Sequence, residues 1–457
     1  MKTQLRGKDM NHQKFDTVVV GSGTSAYYAI DALNKAGQKV AIIDERPYGG
    51  TCALRGCQPK KYLVSNAEAV AMASHLVGRG IVAAPKTDWQ SLQTLKNEFL
   101  DGRSEAEVKD WQQAGVTTFH GRAVMTGEDE VTVGHDRLKA KHIVLATGAM
   151  PRRSNIPGAE HVCDSEHFLN LPDLPNRIVF IGGGYISFEF AHIAIRAGAE
   201  MVTILHRSSR PLKAFDRDIV KTVLKAGEAD GIRVVLNESP ISVESAGNEL
   251  ILRGSNNAVY KADLIIEATG RIPNLSVLED DHGNVEHSAR GVIVNEFLQN
   301  VSNPRVYAVG DCAATKYMLA PVADEEGKTA ACNILEGNIK TIDYSLIPSV
   351  VFTIPSIGSV GLTEEEAKQK KLDFSVNQGM TTDWPSSKRI GEEHGSYKIL
   401  IDRKTDEILG AHIARHSSSE AINVLALAMK HKIKASELAE FMWTYPTVTS
   451  DLKYMVK

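Results

Sequence analysis

The chain has 457 residues, of which 43% are hydrophobic and 24% charged, and its formal net charge is −4. That length predicts about three domains rather than one core. The small net charge argues against a surface that binds nucleic acid. Residues 1–14 are polar and lack the apolar core of a signal peptide, and no stretch approaches the ~18–20 apolar residues that cross a bilayer. We therefore expect a cytoplasmic protein with no membrane partner.

The first predicted unit is a strand, a glycine turn and a helix over residues 15–36, followed by a second strand. Gly21 permits the tight turn, Gly23 lets the backbone approach a pyrophosphate, and Ala26 lets helix and sheet pack closely. The second strand ends at Asp44, whose carboxylate can accept a hydrogen bond from a ribose hydroxyl. This order of elements predicts a dinucleotide site.

Two of the five cysteines, Cys52 and Cys57, lie five positions apart, directly after Gly49-Gly50-Thr51. A zinc site would need a second pair of ligands nearby. A structural disulfide is not typical of a reducing compartment, and closing so short a loop stabilises by only ~2 kcal/mol. Two buried free thiols are a third possibility. We favour a redox-active pair, because it sits beside a nucleotide site.

A second strand–turn–helix unit covers residues 177–197, with Gly182 and Gly184 in its turn. Its second strand ends at His206 instead of an acid. Cations follow it at three positions, Arg207, Arg210 and Lys213. A carboxylate would repel a 2′-phosphate and a group of cations would hold one, so we predict NADPH rather than NADH. The alternative is that these cations are solvated surface charges.

Together these segments resemble the class I pyridine nucleotide–disulfide oxidoreductases, which include glutathione reductase, dihydrolipoamide dehydrogenase and mercuric reductase. The resemblance rests on the segment from Gly49 to Lys61, on both glycine turns and on two Ala-Thr-Gly strand ends, at Gly148 and Gly270. It also rests on Gly310-Asp311 and on residues 351–353 and 360–364, and it spans the chain after the polar tail.

The resemblance implies an α/β fold with two doubly wound nucleotide-binding domains and a C-terminal α+β dimerisation domain. The predicted boundaries are 1–150 and 271–344 for the two parts of the FAD domain, 151–270 for the NADPH domain, and 345–457 for the dimerisation domain. The implied cofactors are FAD and NADPH, and the implied assembly is a homodimer. The candidate cofactor-binding residues are Gly21, Gly23, Ala26, Asp44, Glu45, Thr51, Gly148, Gly310 and Asp311 for FAD, and Gly182, Gly184, Tyr185, Arg207, Lys213 and Gly270 for NADPH.

The resemblance also implies a route for electrons. Tyr185 would move aside for the nicotinamide, and the reduced flavin would open the Cys52–Cys57 disulfide through Cys57, the sulfur nearest the ring. A nearby cation and a helix N-terminus would keep Cys57 as a thiolate, and Cys52 would be the exposed thiol that attacks the substrate. Lys61 and Glu189 match a pair that the family places beside the flavin.

The chain departs from the disulfide reductases near its C-terminus. Their His-Pro histidine, supplied by the other subunit as acid–base catalyst, is replaced by Tyr445, and Ser450 stands where they carry a glutamate. A tyrosine, with a reference pKa of about 10, is a poor proton shuttle near neutral pH. We therefore expect slow turnover of glutathione disulfide or lipoamide. The alternative is that Tyr445 only packs at the dimer interface.

Mercuric reductases also carry tyrosine in this region, and Cys312 after Gly310-Asp311 resembles their pattern, as does Leu452-Lys453. The chain lacks their C-terminal cysteine pair and their N-terminal metal-binding module. We therefore predict a mercuric-reductase-like enzyme with a non-standard acceptor, such as a soft metal or metalloid complex, an unusual disulfide, a quinone or another electrophile.

Two alternatives stay open. One is a conventional small-disulfide reductase with another proton donor, for which His416 and His431 are candidates. The other is a flavin-binding redox sensor with slow turnover. In addition, Arg55 and Lys60 replace residues that are usually uncharged, and one hypothesis is that they lower the pKa of Cys52.

Overall fold

The computed structural model describes residues 11–280 and 282–457. Most of the predicted polar tail therefore lies outside the described residues. The chain divides into two compact units. The first unit comprises the described residues up to Lys60, Lys96–Arg152 and Arg271–Asp343. The second unit comprises Lys61–Leu95, Arg153–Gly270 and Tyr344–Lys457.

The elements of the first 151 residues include the first strand–turn–helix repeat and the cysteine segment. They are β1 (Asn11–Val20), α1 (Thr24–Lys35), β2 (Val40–Asp44), α2 (Gly50–Leu54), α3 (Cys57–His75), α4 (Trp89–Leu100), α5 (Arg103–Gln113), β3 (Thr117–His120), β4 (Ala123–Gly127), β5 (Glu130–Val133), β6 (Asp136–Leu145) and β7 (Ala149–Pro151).

The next segment carries the second repeat and then returns to the first unit. Its elements are α6 (Ser165–Leu169), β8 (Arg177–Ile181), α7 (Tyr185–Ala197), β9 (Met201–His206), α8 (Arg217–Ala229), β10 (Ile232–Leu236), β11 (Pro240–Ala246), β12 (Glu249–Gly254), β13 (Val259–Ala262), β14 (Leu264–Glu267), β15 (Arg271–Pro273), β16 (His287–Ser288), β17 (Gly291–Val292), β18 (Val306–Ala308) and α9 (Ala320–Glu336).

The C-terminal segment alternates strands and helices. Its elements are β19 (Ser349–Val351), β20 (Ser356–Gly361), α10 (Glu364–Gln369), β21 (Phe374–Met380), α11 (Pro385–Lys388), β22 (Ser396–Asp402), β23 (Ile408–Arg415), α12 (Ser418–Lys430), α13 (Ala435–Glu440) and α14 (Leu452–Met455).

The first unit is built on a sheet of order β3-β2-β1-β6-β5-β4, with β18 beside β6. The strands β3, β2, β1, β6 and β18 run parallel, and Val18 lies between Ala41 and Ile143 in this register. These central strands are apolar because both of their faces are covered. Strand β1 begins at Asn11, four residues earlier than predicted, because the long strand β6 offers it a partner back to Asp136.

The second unit contains a parallel sheet of order β10-β9-β8-β14, a small antiparallel sheet of β11, β12 and β13, and an antiparallel sheet of order β19-β20-β23-β22-β21. Helix α12 packs on β20 and β23. The predicted class is confirmed: two doubly wound nucleotide-binding sheets and a C-terminal α+β domain. Over the two described ranges, no helix has the length and apolarity needed to span a bilayer.

A buried lysine ties the second nucleotide-binding sheet to the C-terminal domain within the second unit. Lys398 on β22 is 2% exposed. Its ammonium group donates to Asp216 at 3.3 Å, Asp218 at 2.6 Å and Glu364 at 2.8 Å. Asp216 also caps α8 by accepting from the backbone N–H of Asp218. Three acceptors match the three donors of an ammonium group, so this buried charge is fully paired.

Candidate functional site

The first glycine turn has no room for a side chain at Gly21. Gly21 has φ +106°, and a Cβ there would collide with the carbonyl oxygen of Ala146. A Cβ on Gly50 would likewise collide with the Cα of Gly23. The turn leads into α1, whose Ala26 is fully buried against the sheet. Bare backbone at a helix N-terminus is what a pyrophosphate needs.

Asp44 organises this turn from the end of β2. One carboxylate oxygen accepts from the backbone N–H of Ser22 at 2.8 Å and from its hydroxyl at 2.6 Å. The other oxygen accepts from the backbone N–H of Arg46 at 2.8 Å. A carboxylate has about four acceptor positions, so Asp44 can hold the turn and still receive a ribose hydroxyl. The neighbouring Glu45 is exposed, and Thr51 on α2 is half-buried.

The remaining FAD candidates lie at the carboxyl ends of β6 and β18, at the same edge of the sheet. Gly148 and Gly310 have φ +67° and +69°. The backbone N–H of Gly310 donates to the buried Glu326 at 2.6 Å. Burial raises the pKa of Asp311, and the nearby Arg271 opposes that shift. A half-buried carboxyl at this edge suits a bound hydroxyl group, so the residues fit the ribityl chain of FAD.

The two cysteines bracket the junction of two helices: Cys52 lies in α2 and Cys57 begins α3. Both are reduced thiols, Cys52 half-buried and Cys57 exposed. Cys57 is the first residue of its helix, whereas Cys52 lies inside a helical turn. Which of the two sulfurs meets the substrate stays a prediction.

The pKa of Cys52 is raised, chiefly because its thiol hydrogen-bonds to Cys57, and also by burial and by the charges of Cys57 and Asp324. The hypothesis of a lowered pKa was therefore wrong. Lys60 does act in the expected direction, but more weakly. Arg55 donates to the carbonyl oxygen of Pro47 at 3.3 Å. A hydrogen bond that raises the pKa of Cys52 is one in which the Cys52 thiol donates to Cys57, which lies at a helix N-terminus.

The charge of Asp324 was missed by the sequence analysis. Asp324 lies in α9, and its carboxylate accepts a hydrogen bond from the Thr24 hydroxyl in α1. No spacing in the sequence links residues so far apart, so only the packing of α1 against α9 reveals it.

Lys61 and Glu189 both contact Phe352. The Lys61 ammonium lies 3.2 Å from the centroid of the Phe352 ring. Glu189, 1% exposed, accepts from the Phe352 backbone N–H at 2.9 Å. The structure therefore places Lys61 and Glu189 against the same residue, Phe352. Lys61 also lies one turn after Cys57 on α3, so the two share a helix face.

The second glycine turn repeats the first with a different anchor. Gly182 has φ +113°, and a Cβ there would collide with the carbonyl oxygen of Ala268. The backbone N–H of Gly183 donates to Nδ1 of His206 at 3.0 Å. Gly184 caps α7, and Gly270 has φ +125°. His206 thus takes the structural place of an acid, a role that the sequence analysis did not assign to it.

The predicted cations of this unit differ in availability. Arg207 and Lys213 are exposed. Arg210 instead forms an ion pair with Glu365 on α10, so its guanidinium anchors the loop. Tyr185, at the start of α7, is 47% exposed.

Tyr445 lies on the surface of the C-terminal domain, 64% exposed. A cis peptide joins it to Pro446. The Lys453 ammonium lies 5.8 Å from the centroid of its ring. Ser450, at the position of the missing glutamate, is buried and its hydroxyl donates to the Thr447 carbonyl oxygen at 2.6 Å. This hydroxyl is committed to a local turn.

The acid nearest to that position is also committed. Asp451 accepts from Arg415 at 2.8 Å, and both side chains are buried. Arg415 bonds in addition to Ser386 and Ser387. This pair fixes the turn after Tyr445 and was not visible in the sequence.

Comparison with known proteins agrees with this geometry. Residues 15–327 match the family model described as pyridine nucleotide-disulphide oxidoreductase, and residues 347–456 match the dimerisation domain of the same family. Mercuric reductase from Bacillus cereus is 31% identical over 463 residues, which cover 100% of this chain and 73% of that protein. Dihydrolipoyl dehydrogenase from Chlamydia trachomatis is 32% identical over 447 residues, covering 96% of this chain and 95% of that protein.

Among solved structures, the Cu(II) complex of the HOCl-induced flavoprotein disulfide reductase RclA from Escherichia coli superposes with a TM-score of 0.88. It is 26% identical and covers 97% of this chain and 99% of that one. The predicted resemblance is confirmed: the chain belongs to the pyridine nucleotide–disulphide oxidoreductases, flavoprotein enzymes that use FAD and NAD(P)H.

Proposed function

We propose that this enzyme uses NADPH to reduce a thiophilic metal ion, such as Hg(II) or Cu(II), at the Cys52–Cys57 pair, and that it works as a homodimer. The observation that carries the proposal is the C-terminal turn, where an exposed Tyr445 takes the place of the histidine and Ser450 is committed to Thr447. A mercuric reductase and a flavoprotein solved as a Cu(II) complex are among the similar proteins.

The chemistry of a metal acceptor explains why that turn can lack a proton shuttle. Reduction of a small disulfide releases a thiolate that must be protonated as it leaves, which suits a histidine. A metal ion bound by thiolates takes electrons without a leaving group, and soft sulfur ligands favour such ions. Loss of the histidine therefore lowers the turnover of a metal reductase less than it lowers the turnover of a disulfide reductase.

The pair itself supplies two electrons. FAD, when bound, supplies the transfer of electrons from NADPH to the disulfide. Cys57, the thiolate at the start of α3, and Cys52, which keeps the proton, then bind the ion as two thiolates after Cys52 loses that proton. Re-formation of the S–S bond delivers two electrons, enough for one Hg(II) to Hg(0) or two Cu(II) to two Cu(I).

The surroundings of Cys52 set when that proton leaves. Its pKa is raised by the hydrogen bond to Cys57 and by burial. A cation that displaces this hydrogen bond removes the first effect, and its positive charge beside the sulfur opposes the second. We infer that binding of the metal ion releases the Cys52 proton to water, which makes a separate protein base unnecessary.

NADPH is proposed over NADH for the second unit. His206 provides a neutral acceptor for the Gly183 amide, so the turn is built without the negative charge that would repel a 2′-phosphate. Arg207 and Lys213 are the exposed cations that would contact that phosphate. Arg210 contributes by holding the loop through Glu365.

A conventional disulfide reductase is the second candidate, and the dihydrolipoyl dehydrogenase relatives favour it. Such an enzyme would need another proton donor. His416 lines a cavity of about 70 Å³ together with His75 and His394 in the second unit. The backbone N–H of His416 donates to the buried Glu392, which also accepts from the Ser387 hydroxyl.

An acceptor panel tests the proposal. Anaerobic NADPH oxidation by the holoenzyme is followed with Cu(II), Hg(II), glutathione disulfide and lipoamide, for wild type, Cys52→Ser and Tyr445→His. We expect metal-dependent turnover in the wild type, its loss in Cys52→Ser, and disulfide turnover only in Tyr445→His. Rapid disulfide turnover by the wild type, or metal turnover that survives in Cys52→Ser, would overturn the proposal.

A further inference from the structure

The His206 imidazole is clamped between two backbone groups. Its Nδ1 lies 3.0 Å from the backbone nitrogen of Gly183, and its Nε2 lies 3.1 Å from the carbonyl oxygen of Arg210. A backbone N–H only donates and a carbonyl oxygen only accepts. The two contacts therefore fix one form of the ring, neutral, with the proton on Nε2.

The ring also packs directly against the backbone of the glycine turn. A Cβ on Gly183 would lie 2.6 Å from Cγ of His206, so glycine is needed for the ring to lie against the turn. The Ser208 hydroxyl lies 2.9 Å from Nε2 on the other side. One imidazole therefore connects the pyrophosphate turn to the loop of residues 207–213, which carries the cations.

The charged groups around the ring favour its neutral form. Arg207 follows it in the chain, and burial and the charge of Arg207 lower the pKa of His206, against the opposing effect of the Arg210 carbonyl. The Arg210 guanidinium is paired with Glu365. Glu238, whose backbone N–H donates to the His206 carbonyl oxygen, directs its own carboxylate to Ser255, Asn256 and Tyr260.

We propose that His206 is a positioning residue for coenzyme binding that works only as the neutral imidazole. Neutral His206 holds the Gly183 amide and the cation loop in the arrangement that receives the coenzyme. A protonated ring would place an N–H against the Gly183 N–H, which breaks the contact and releases the turn. Coenzyme affinity should therefore fall as the pH drops below the pKa of His206. The proposal rests on the proposed coenzyme role of this unit, and it extends to NADH as well as NADPH.

The test measures half-saturation by coenzyme in stopped-flow reduction of the bound flavin, between pH 5 and 8, with no acceptor present. NADH is the cleaner probe, because a 2′-phosphate itself titrates near pH ~6. In the wild type the half-saturating NADH concentration should rise about tenfold at the acid end, the loss of one hydrogen bond to the turn. The limiting rate of reduction should change little.

Two variants separate positioning from a general structural role. His206→Asn keeps an acceptor beside Gly183 that does not titrate, so its half-saturation should stay near the neutral wild-type value without the acid rise. His206→Ala should be weak at every pH. The same acid rise in wild type and His206→Asn, or an unchanged half-saturation in His206→Ala, would overturn the proposal. A preference for NADH in the wild type would contradict only the proposed choice of NADPH.

Discussion

The two nucleotide-binding units share a backbone and differ in one anchoring group. In the first unit the amide between the glycines, at Ser22, donates to the Asp44 carboxylate at 2.8 Å. In the second unit the equivalent amide, at Gly183, donates to the His206 imidazole at 3.0 Å. The end of the second strand thus has two separable tasks: it supplies an acceptor for the turn, and it sets the charge that a coenzyme meets.

The two nucleotide-binding sheets also differ in their contacts with the rest of the chain. The first is a wide sheet that is completed by β18 from a later part of the chain. The second is four-stranded and is tied to the C-terminal domain by Lys398 and its three carboxylates. Because these ion pairs are buried, a single substitution within them is expected to destabilise the fold.

The largest effect on stability is expected from breaking the buried ion pairs of Lys398. Lys398→Met leaves the buried Asp216 without its cation, and removing one partner of a buried pair costs about 3–5 kcal/mol. Urea unfolding should show this loss of stability. Lys368→Met is the control, because Lys368 pairs with the same Glu364 on the surface and should change stability by less than about 1 kcal/mol. Equal effects of the two substitutions would contradict the role of Lys398.

The next effect concerns the anchor of the first unit. Asp44→Ala removes three hydrogen bonds to a carboxylate, and we expect FAD affinity to fall about 100-fold. The ratio of flavin to protein after dialysis measures it. Asp44→Asn keeps an acceptor for the turn and should retain more flavin than Asp44→Ala. Full flavin content in Asp44→Ala would show that the first glycine turn binds FAD without the acceptor that Asp44 provides.

A smaller effect separates charge from anchoring in the second unit. Arg207→Ala removes an exposed cation but leaves the His206 contacts, so half-saturation by NADPH should rise about tenfold while NADH is unaffected. Stopped-flow flavin reduction with each coenzyme gives the ratio. If NADH binding weakened equally, Arg207 would serve the fold of the loop and not the phosphate.

The smallest effect is a pH dependence of stability. Lys398 lowers the pKa of Asp218 to about 2 from a reference of 3.8. A lowered carboxylate pKa stabilises the fold above pH ~4 and loses that contribution as the pH falls toward 2. Unfolding free energies measured between pH 5 and 3 should decline less steeply in Asp218→Asn than in the wild type. If stability declined equally steeply with falling pH in both proteins, the Lys398–Asp218 ion pair would contribute nothing to the free energy of unfolding.

Much of the fold could be predicted from local sequence, and the contacts that join distant segments could not. Strand β8 begins and helix α7 ends at the predicted limits of the second strand–turn–helix unit, since buried apolar strands and glycine turns leave clear local patterns. The His206–Gly183 bond depends on the register of β8 against β9, and the Lys398 cluster joins residues about 180 positions apart. Neither contact leaves a pattern that can be recognised in a single sequence.

The cysteine pair shows the same division. Spacing and the neighbouring glycines predicted a redox pair, because those features are local. The direction of the pKa shift of Cys52 could not be predicted, since it depends on the hydrogen bond to Cys57, on burial and on Asp324 from a distant helix. Lys60, which is close in sequence, has a smaller effect on the pKa of Cys52 than any of these.

The most direct test of the central claim is a count of thiols after a single turnover. Holoenzyme reduced anaerobically with one equivalent of NADPH is mixed with two equivalents of Cu(II), then alkylated and mapped by mass spectrometry. We predict that two Cu(I) form and that Cys52 and Cys57 are protected as a disulfide, whereas reduced enzyme without copper is alkylated at these cysteines. Formation of Cu(I) while Cys52 and Cys57 stay open to alkylation would contradict the claim that electrons leave through this pair.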